Sequence, residues 1–217
     1  MKVWNCPKKT QARKETIIDR YREMSGNHSI PQDRQYWAMC GQCTMEDGSP
    51  NDNSELGQMV SSGLITPEQF HGVEIVKETN DMNVAAYPDV NFYLGDFVSV
   101  LTSQYGTPGF NPAIINADMI AMKDKAVPFF TRILSVMSKP KVRGDLMVVC
   151  NLIRDFGCNL HHQTVEEVVD KFCSDDRYAH AMEEADWTVH HSVYDYYGTG
   201  KGSRTGLTTF VFYKRGA

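Results

Sequence analysis

The sequence predicts an α/β protein built on a mostly parallel sheet, and three observations lead to this fold class. Short apolar runs alternate with longer amphipathic runs, two β-rich runs flank GTGKGS near the C-terminus, and 217 residues with 41% hydrophobic content suffice for one buried core. Strands separated by helices favour parallel pairing through right-handed crossovers. A terminal hairpin makes one strand antiparallel. We therefore expect one doubly wound, seven-stranded sheet with a C-terminal antiparallel hairpin.

The individual elements follow from periodicity and from turn residues. A helix is predicted over residues 10–24, because Ile17, Ile18 and Tyr21 recur on one face. Ser54 begins another helix, since an acidic residue and then apolar residues at helical spacing follow it. Further helices are predicted over residues 76–87, 125–137, 164–173 and 176–185. Strands are predicted over residues 35–40, 70–75, 91–94, 113–116, 145–151, 187–197 and 205–214, with 145–151 buried on both faces near the sheet centre.

Charge divides the chain into segments of opposite sign. Basic residues outnumber acidic ones over residues 1–34, which we predict to be an N-terminal basic helical arm in front of a sheet domain over residues 35–217. Acidic residues dominate from 40 to 100, where Lys77 is the only lysine or arginine. The net charge of -5 argues against a protein that coats nucleic acid along its whole surface.

The distribution of apolar residues and cysteines predicts a reduced, cytoplasmic protein without a membrane anchor. No stretch approaches the roughly 20 apolar residues that span a bilayer, and MKVWNCPKKTQARKE lacks the apolar region of an export signal. Cys40 and Cys43 have the spacing of a redox or zinc site, for which Cys158 with His161 or His162 would complete the ligands. Two thiols packed against the sheet are the preferred interpretation. The sequence makes no prediction of oligomeric state.

Ligands of open parallel sheets bind beyond the carboxyl ends of the strands, where strand order reverses. The residues expected there are Gly41 and Gln42 after the first strand, Glu74 after the second, Asp96 and Phe97 after the third, Asn116 and Asp118 after the fourth, and Asn151 after the fifth. Glu74 can accept two hydrogen bonds from a ribose diol, and Asp96 can accept one from an exocyclic amine beside the flat ring of Phe97. Solvated carboxylates or helix caps are the alternative interpretation. Together the residues favour a nucleoside site.

These motifs resemble those of the class I S-adenosylmethionine-dependent methyltransferases, which have a Rossmann-like fold. The resemblance covers residues 36–213 and rests on HGVEIVKETNDMNVAAYPDVNFYLGDF, on NPAIINADM and on the C-terminal hairpin. It implies S-adenosylmethionine as cofactor, bound by Gly41, Gln42, Glu74, Ile75, Asp96, Phe97 and Asn116. Glu74 would hold the ribose, and Asp96 with Phe97 the adenine. Asn116 would line the methyl-transfer site, where it or Asp118 would orient or deprotonate the acceptor.

The first loop, CGQCTMEDGSPNDNSE, departs from the glycine-rich turn of that family. A catalytically degenerate binding or scaffold protein is therefore one alternative function. A nicotinamide-dependent oxidoreductase is a second, disfavoured because the loop lacks the glycines that admit a pyrophosphate. Metal-dependent relatives carry carboxylates at the positions of Asn116 and Cys150. Asp118 and Asn151 could offer oxygen ligands to Mg²⁺, but with those two replacements a divalent metal is not expected.

Only the distribution of basic residues gives an indication of the methyl acceptor. The hairpin loop should lie at the carboxyl-end face, so Lys201 and Arg204 would overlook the cleft beside the basic arm. A basic rim suits an anionic acceptor such as nucleic acid or a phosphorylated small molecule. An exposed loop that is basic for solubility is the competing interpretation, and the sequence leaves both open.

Overall fold

The computed structural model describes residues 7–118, 123–137, 144–153, 188–197 and 205–214. Its strands are β1 (Gln35–Met39), β2 (Phe70–Glu74), β3 (Asn91–Leu94), β4 (Pro112–Ala117), β5 (Leu146–Ile153), β6 (Thr188–Tyr197) and β7 (Thr205–Lys214). They form one sheet in the order β3-β2-β1-β4-β5-β7-β6. Pairing is parallel from β3 across to β5, and β7 is antiparallel to both of its neighbours. The predicted α/β class, a mostly parallel sheet with a C-terminal antiparallel pair, is confirmed.

The helices in the described ranges are α1 (Pro7–Arg13), α2 (Arg20–Ser25), α3 (Glu55–Ser61), α4 (Lys77–Ala86), α5 (Phe97–Gln104) and α6 (Lys123–Met137). A π-helical turn (Lys14–Asp19) joins α1 to α2, and a 3₁₀ turn (Pro67–Gln69) precedes β2. None of these helices is long and apolar enough to cross a membrane. The helices predicted over residues 164–173 and 176–185 lie outside the described residues.

Helix α5 was not predicted, and the omission has a physical cause. Its sequence, FVSVLTSQ, contains β-branched and hydroxyl residues that disfavour helix when taken alone. Asp96 overcomes this as the N-cap, because its side chain accepts a hydrogen bond from the Ser99 amide at 2.9 Å. Val98 and Leu101 are then buried against the sheet.

Side chains that alternate along the central strands feed two separate buried clusters, one on each face of the sheet. One cluster joins the strands to α3 and to the N-terminal segment, which consists of α1, the π-helical turn and α2 (residues 7–25). The strands contribute Tyr36, Ala38, Ile114, Met147 and Val149. The N-terminal segment contributes Ile17, Ile18 and Tyr21, and α3 contributes Leu56 and Met59. The other joins Trp37, Ile115, Val148 and Phe212 to Phe97, Leu101, Phe130 and Leu134 of α5 and α6. Helices therefore cover both faces, and β5, buried from Leu146 to Cys150, lies between β4 and β7 as expected.

The N-terminal segment packs into the same core as the sheet. Ile17, Ile18 and Tyr21 are 1–3% exposed. The Tyr213 hydroxyl of β7 donates to the Met24 carbonyl at 3.1 Å, which links the segment to the far end of the chain. The basic arm thus contributes apolar side chains to the core as well as charge, while a boundary at residue 34 stays a prediction.

Candidate functional site

Strand pairing brings the carboxyl ends of the first four strands to one edge of the sheet. Met39 pairs with Val73, Glu74 with Leu94, and Ala38 with Asn116. The segments that follow β1, β2 and β3 therefore emerge side by side, with Gly41, Gln42, Glu74 and Asp96 among them.

At this edge the polar side chain of Glu74 lies beside exposed apolar side chains. The half-buried Glu74 accepts a hydrogen bond from the Val76 amide through Oε1 at 2.8 Å. A carboxylate has two oxygens and about four acceptor positions, so this contact leaves capacity for a ligand. Ile75 is 72% exposed and Leu94 is 49% exposed. We call Ile75, Val76 and Leu94 the edge apolar patch.

Asp96 caps α5 and is exposed at the same edge. Its Oδ1 accepts from the Ser99 amide at 2.9 Å and from the Ser99 hydroxyl at 2.8 Å. The ring of Phe97 is 3% exposed and packs beside Phe129 in the core, with the ring centroids 6.4 Å apart. The expected flat surface for a base is therefore not the Phe97 ring, because the first turn of α5 directs that ring inward. Ile75 and Leu94 are the apolar side chains exposed near Asp96.

The loop after β1 is held by the side chains of Asn83, in α4, and Tyr87, which directly follows α4. Asn83, fully buried, accepts from the Cys43 amide and donates to the Gly41 carbonyl, each at 2.8 Å. The Tyr87 hydroxyl donates to the Cys43 carbonyl and accepts from the Asn51 amide, each at 3.0 Å. Gly41 has φ 57°, a left-handed conformation that favours glycine. The long loop is thus held in one shape by side-chain contacts in place of several glycines.

The thiols of Cys40 and Cys43 are free and buried. The hydrogen bond with Cys43, together with burial, raises the pKa of the Cys40 thiol well above its usual value. A protonated, buried thiol is a poor nucleophile and a poor metal ligand. Within the described ranges no group of three or more His, Cys, Asp or Glu side chains is arranged to hold a metal ion. Cys158, His161, His162, Lys201 and Arg204 lie outside those ranges.

A buried polar cluster lies behind the edge, between β1, β4, α3 and the N-terminal segment. Glu55, the first residue of α3, accepts through Oε1 from the Tyr36 hydroxyl and from Asn116 Nδ2, each at 2.8 Å. The Arg13 guanidinium lies 3.5 Å from Glu55 Oε2. We call Arg13, Tyr36, Glu55 and Asn116 the inner polar cluster. Burial, reinforced by Glu55, raises the pKa of Tyr36 well above its usual value, so this hydroxyl remains a donor.

Two candidate residues that were expected at the ends of their strands lie inside those strands. Asn116 is the fifth residue of β4 and is 1% exposed, because β4 continues to Ala117. Asn151 lies within β5, paired with Thr209. Asp118, partly exposed, directly follows β4. The predicted strands ended at Asn116 and Asn151, whereas β4 continues to Ala117 and β5 to Ile153.

No protein-family model and no curated protein matches this sequence. Solved structures do match it. The M. jannaschii TYW2 structure, a complex with AdoMet, has a TM-score of 0.53 at 8% identity over 99% of this chain and 79% of that chain. The plantazolicin methyltransferase BamL, in complex with a triazolic desmethylPZN analog and SAH, gives a TM-score of 0.52 at 10% identity over 95% of this chain and 85% of that chain. PH1948 from Pyrococcus horikoshii gives 0.50 at 15% identity over 99% and 91%.

The chain has a class I methyltransferase-like fold. On this methyltransferase-like sheet Gly41, Gln42, Glu74, Ile75 and Asp96 lie near one edge, as predicted, and their roles there remain predictions. Sequence reasoning missed Glu55, Asn83 and Tyr87. An acidic residue in the first turn of α3 was visible in the sequence, but it was interpreted only as a helix-start signal.

Proposed function

We propose that the protein binds S-adenosylmethionine at the carboxyl edge of β1 to β4 and transfers its methyl group to an acceptor. The proposal rests on one observation: the half-buried Glu74 carboxylate is adjacent to the exposed edge apolar patch, in which Ile75 is 72% exposed. A nucleoside offers a diol and a flat base to such a pair of surfaces. The methyltransferase-like fold supports the same ligand class.

Each part of the edge has a role in this proposal. The Glu74 carboxylate accepts from the ribose hydroxyls, and Ile75 and Leu94 contact the faces of the adenine. Asp96 uses Oδ1 for its cap, so Oδ2 is the oxygen that accepts from the exocyclic amine. The first amides of α5 have no partner within the helix, as in any helix N-terminus, and can donate to a ring nitrogen.

Catalysis in this proposal depends on alignment. When bound, S-adenosylmethionine supplies an activated methyl group that an acceptor lone pair displaces in line. Asp118 follows β4 and is partly exposed, so it is placed to orient the acceptor or to take its proton. Asn116 is buried and acts from within the inner polar cluster. No described group needs to be covalently modified.

Calorimetric titration tests the proposal directly. S-adenosylmethionine, S-adenosylhomocysteine and NAD are titrated into the wild type, Glu74→Gln and Asp96→Ser. Glu74→Gln should weaken S-adenosylhomocysteine binding by about tenfold, because an amide accepts the ribose diol less well than a carboxylate. Asp96→Ser keeps a capping oxygen and should fold normally while losing affinity.

Glu78→Gln is the matched control, because Glu78 is an exposed acid in the first turn of α4 and carries the same charge. It should change affinity by less than about twofold. Binding of NAD without either adenosyl-sulfur ligand would refute the proposal in favour of the oxidoreductase. If none of the three binds, the scaffold alternative is favoured.

Two finer statements belong to the proposal. We propose that the complete chain is doubly wound, which the helices on both faces of the described sheet support. We also propose an anionic acceptor, supported by the basic residues Lys201 and Arg204 of the hairpin loop. Transfer of labelled methyl groups to RNA or DNA, compared with uncharged small molecules, tests the second statement. Labelling of the uncharged set alone would refute it.

A further inference from the structure

Three buried atoms of the inner polar cluster have no hydrogen-bond partner among the residues that the structure describes. They are Arg13 Nε, Glu55 Oε2 and Asn116 Oδ1. Their residues are 9%, 1% and 1% exposed. A buried polar atom without a partner costs about 1–3 kcal/mol, so such atoms are rare and call for a ligand or an ordered water. Here one donor and two acceptors occur together.

Glu55 determines which end of the Asn116 amide is free. An ionised carboxylate only accepts hydrogen bonds, and Glu55 Oε1 receives Asn116 Nδ2 at 2.8 Å. Turning the amide over would place Oδ1 against that carboxylate oxygen. Glu55 is itself fixed by the Tyr36 hydroxyl and by Arg13. Asn116 Oδ1 is therefore held as an acceptor, and no donor reaches it among the described residues.

Several backbone groups of the loop after β1 are already occupied by contacts within the protein. Asn83 occupies the Cys43 amide and the Gly41 carbonyl, and Tyr87 with the Asn51 amide occupies the Cys43 carbonyl. In the methyltransferases that the chain resembles, a glycine-rich backbone approaches the amino-acid end of the cofactor. Here the Gly41 carbonyl and the Cys43 amide and carbonyl are used within the protein, whereas the unpartnered atoms of the inner polar cluster belong to side chains.

We propose that the inner polar cluster binds the zwitterionic α-amino acid end of a ligand, and that Arg13 and Glu55 position Asn116 for it. The ammonium donates to Asn116 Oδ1 and Glu55 Oε2, and the carboxylate accepts from Arg13 Nε. The inference rests on the proposed function where the ligand is S-adenosylmethionine. A free amino acid carries the same group and is the second source that the experiment separates.

The test compares two ligands that differ in this group alone. S-adenosylhomocysteine has the amino-acid end, and 5′-methylthioadenosine lacks it. Both are titrated calorimetrically into the wild type, Arg13→Lys and Glu55→Gln. Arg13→Lys retains the positive charge but has no donor at the Nε position, and Glu55→Gln retains the shape but permits the Asn116 amide to turn over. Each should weaken S-adenosylhomocysteine about tenfold and 5′-methylthioadenosine less than about twofold.

Lys14→Gln is the control, because Lys14 adjoins Arg13 but forms its ion pair at an exposed position. It should leave both affinities within about twofold. Circular dichroism and thermal unfolding confirm that each variant folds. Equal losses for both ligands would indicate a merely structural cluster and overturn the inference, as would unchanged affinities in both folded variants.

L-methionine is the third ligand and separates this inference from the proposed function. If the wild type binds neither adenosyl ligand, the proposed function fails. Binding of L-methionine that Arg13→Lys abolishes would then still support the amino-acid site. Absence of L-methionine binding in that case would overturn the site as well.

Discussion

His71 shows how burial alone sets the charge of a residue in this protein. It lies in β2 with 7% of its surface exposed, stacked on Trp37 with ring centroids 4.5 Å apart. Its Nδ1 lies 3.1 Å from the Tyr93 hydroxyl. Burial lowers the pKa of His71 from 6.5 to about 4, so the ring is neutral at physiological pH.

This depressed pKa makes stability depend on pH in a defined direction. The unfolded chain takes up a proton near pH 6.5 and the folded chain only near pH 4, so the free energy of unfolding falls as pH decreases between these values. Lowering the pH from about 7.5 to about 5 should cost roughly 2 kcal/mol through His71. Urea unfolding at the two pH values measures it.

His71→Phe should remove this part of the pH dependence while retaining an aromatic ring against Trp37. His28→Phe, at an exposed position, should keep it. A wild type and a His71→Phe variant with the same pH dependence would contradict the prediction.

Residues whose role is set by local sequence were predictable, and residues whose partners are distant were not. The positions of Glu74 and Asp96 at strand ends were predicted because strand ends can be recognised from neighbouring residues, while their binding roles stay predictions. Glu55 bonds Asn116, 61 positions away, and Asn83 bonds Gly41, 42 positions away. No periodicity or turn signal in one sequence connects such pairs. The inner polar cluster and the contacts that hold the loop after β1 could therefore be identified only in the folded structure.

Among the elements, the first turn of α3 packs closely against the loop that precedes this helix. A Cβ at Gly57 would lie 2.6 Å from the Cα and the carbonyl oxygen of Asp52. Both are backbone atoms, which cannot rotate away as a flexible side chain can. This contact places the start of α3 directly on the loop that leads from β1.

Gly57→Ala should therefore destabilise the protein, although alanine is the better helix former by about 1 kcal/mol. We expect a loss of roughly 1–3 kcal/mol in the free energy of unfolding, measured by urea titration. Ser61→Ala, at an exposed position of the same helix, is the control and should be neutral. A Gly57→Ala variant more stable than the wild type would show that the loop can move aside.

Strands were easier to predict than helices in this chain. Asn91–Leu94 and Thr205–Lys214 have the predicted bounds, because apolar runs between turn residues define them. Helix α5 was missed because its composition disfavours helix, and only its cap and its burial against the sheet stabilise it. No strand order was predicted, because local sequence says nothing of which strands are neighbours, and the order emerged only with the structure.

For the whole molecule, the N-terminal segment is part of the core on one face of the sheet. Ile17 is 1% exposed in the cluster that includes Tyr36 and Ile114, whereas Ile75 is 72% exposed at the carboxyl edge. Two isoleucines of identical chemistry thus have opposite environments. Truncating each isoleucine to alanine separately distinguishes an effect on folding from an effect on ligand binding.

Ile17→Ala should lower the free energy of unfolding by about 2–5 kcal/mol, because it leaves a cavity in the core. Ile75→Ala should leave stability nearly unchanged and weaken S-adenosylhomocysteine binding, since Ile75 contacts the adenine in the proposed complex. Thermal unfolding and calorimetry on both variants measure the two effects. A small effect of Ile17→Ala on stability would show that the N-terminal segment is dispensable for folding.

The π-helical turn between α1 and α2 constrains how this protein can change over evolution. It gives the segment a wider turn than an α-helix, and with it Arg13 reaches Glu55 while Tyr21 reaches the core on the same face of the sheet. Lys14 and Glu15 are exposed there, and their surface contacts with Asp19 and Gln11 contribute little to stability. A single-residue deletion within Lys14–Asp19 would rotate Arg13 relative to Tyr21 and separate one of them from its partner. The segment is therefore restricted in length as well as at its buried residues Thr16, Ile17 and Ile18.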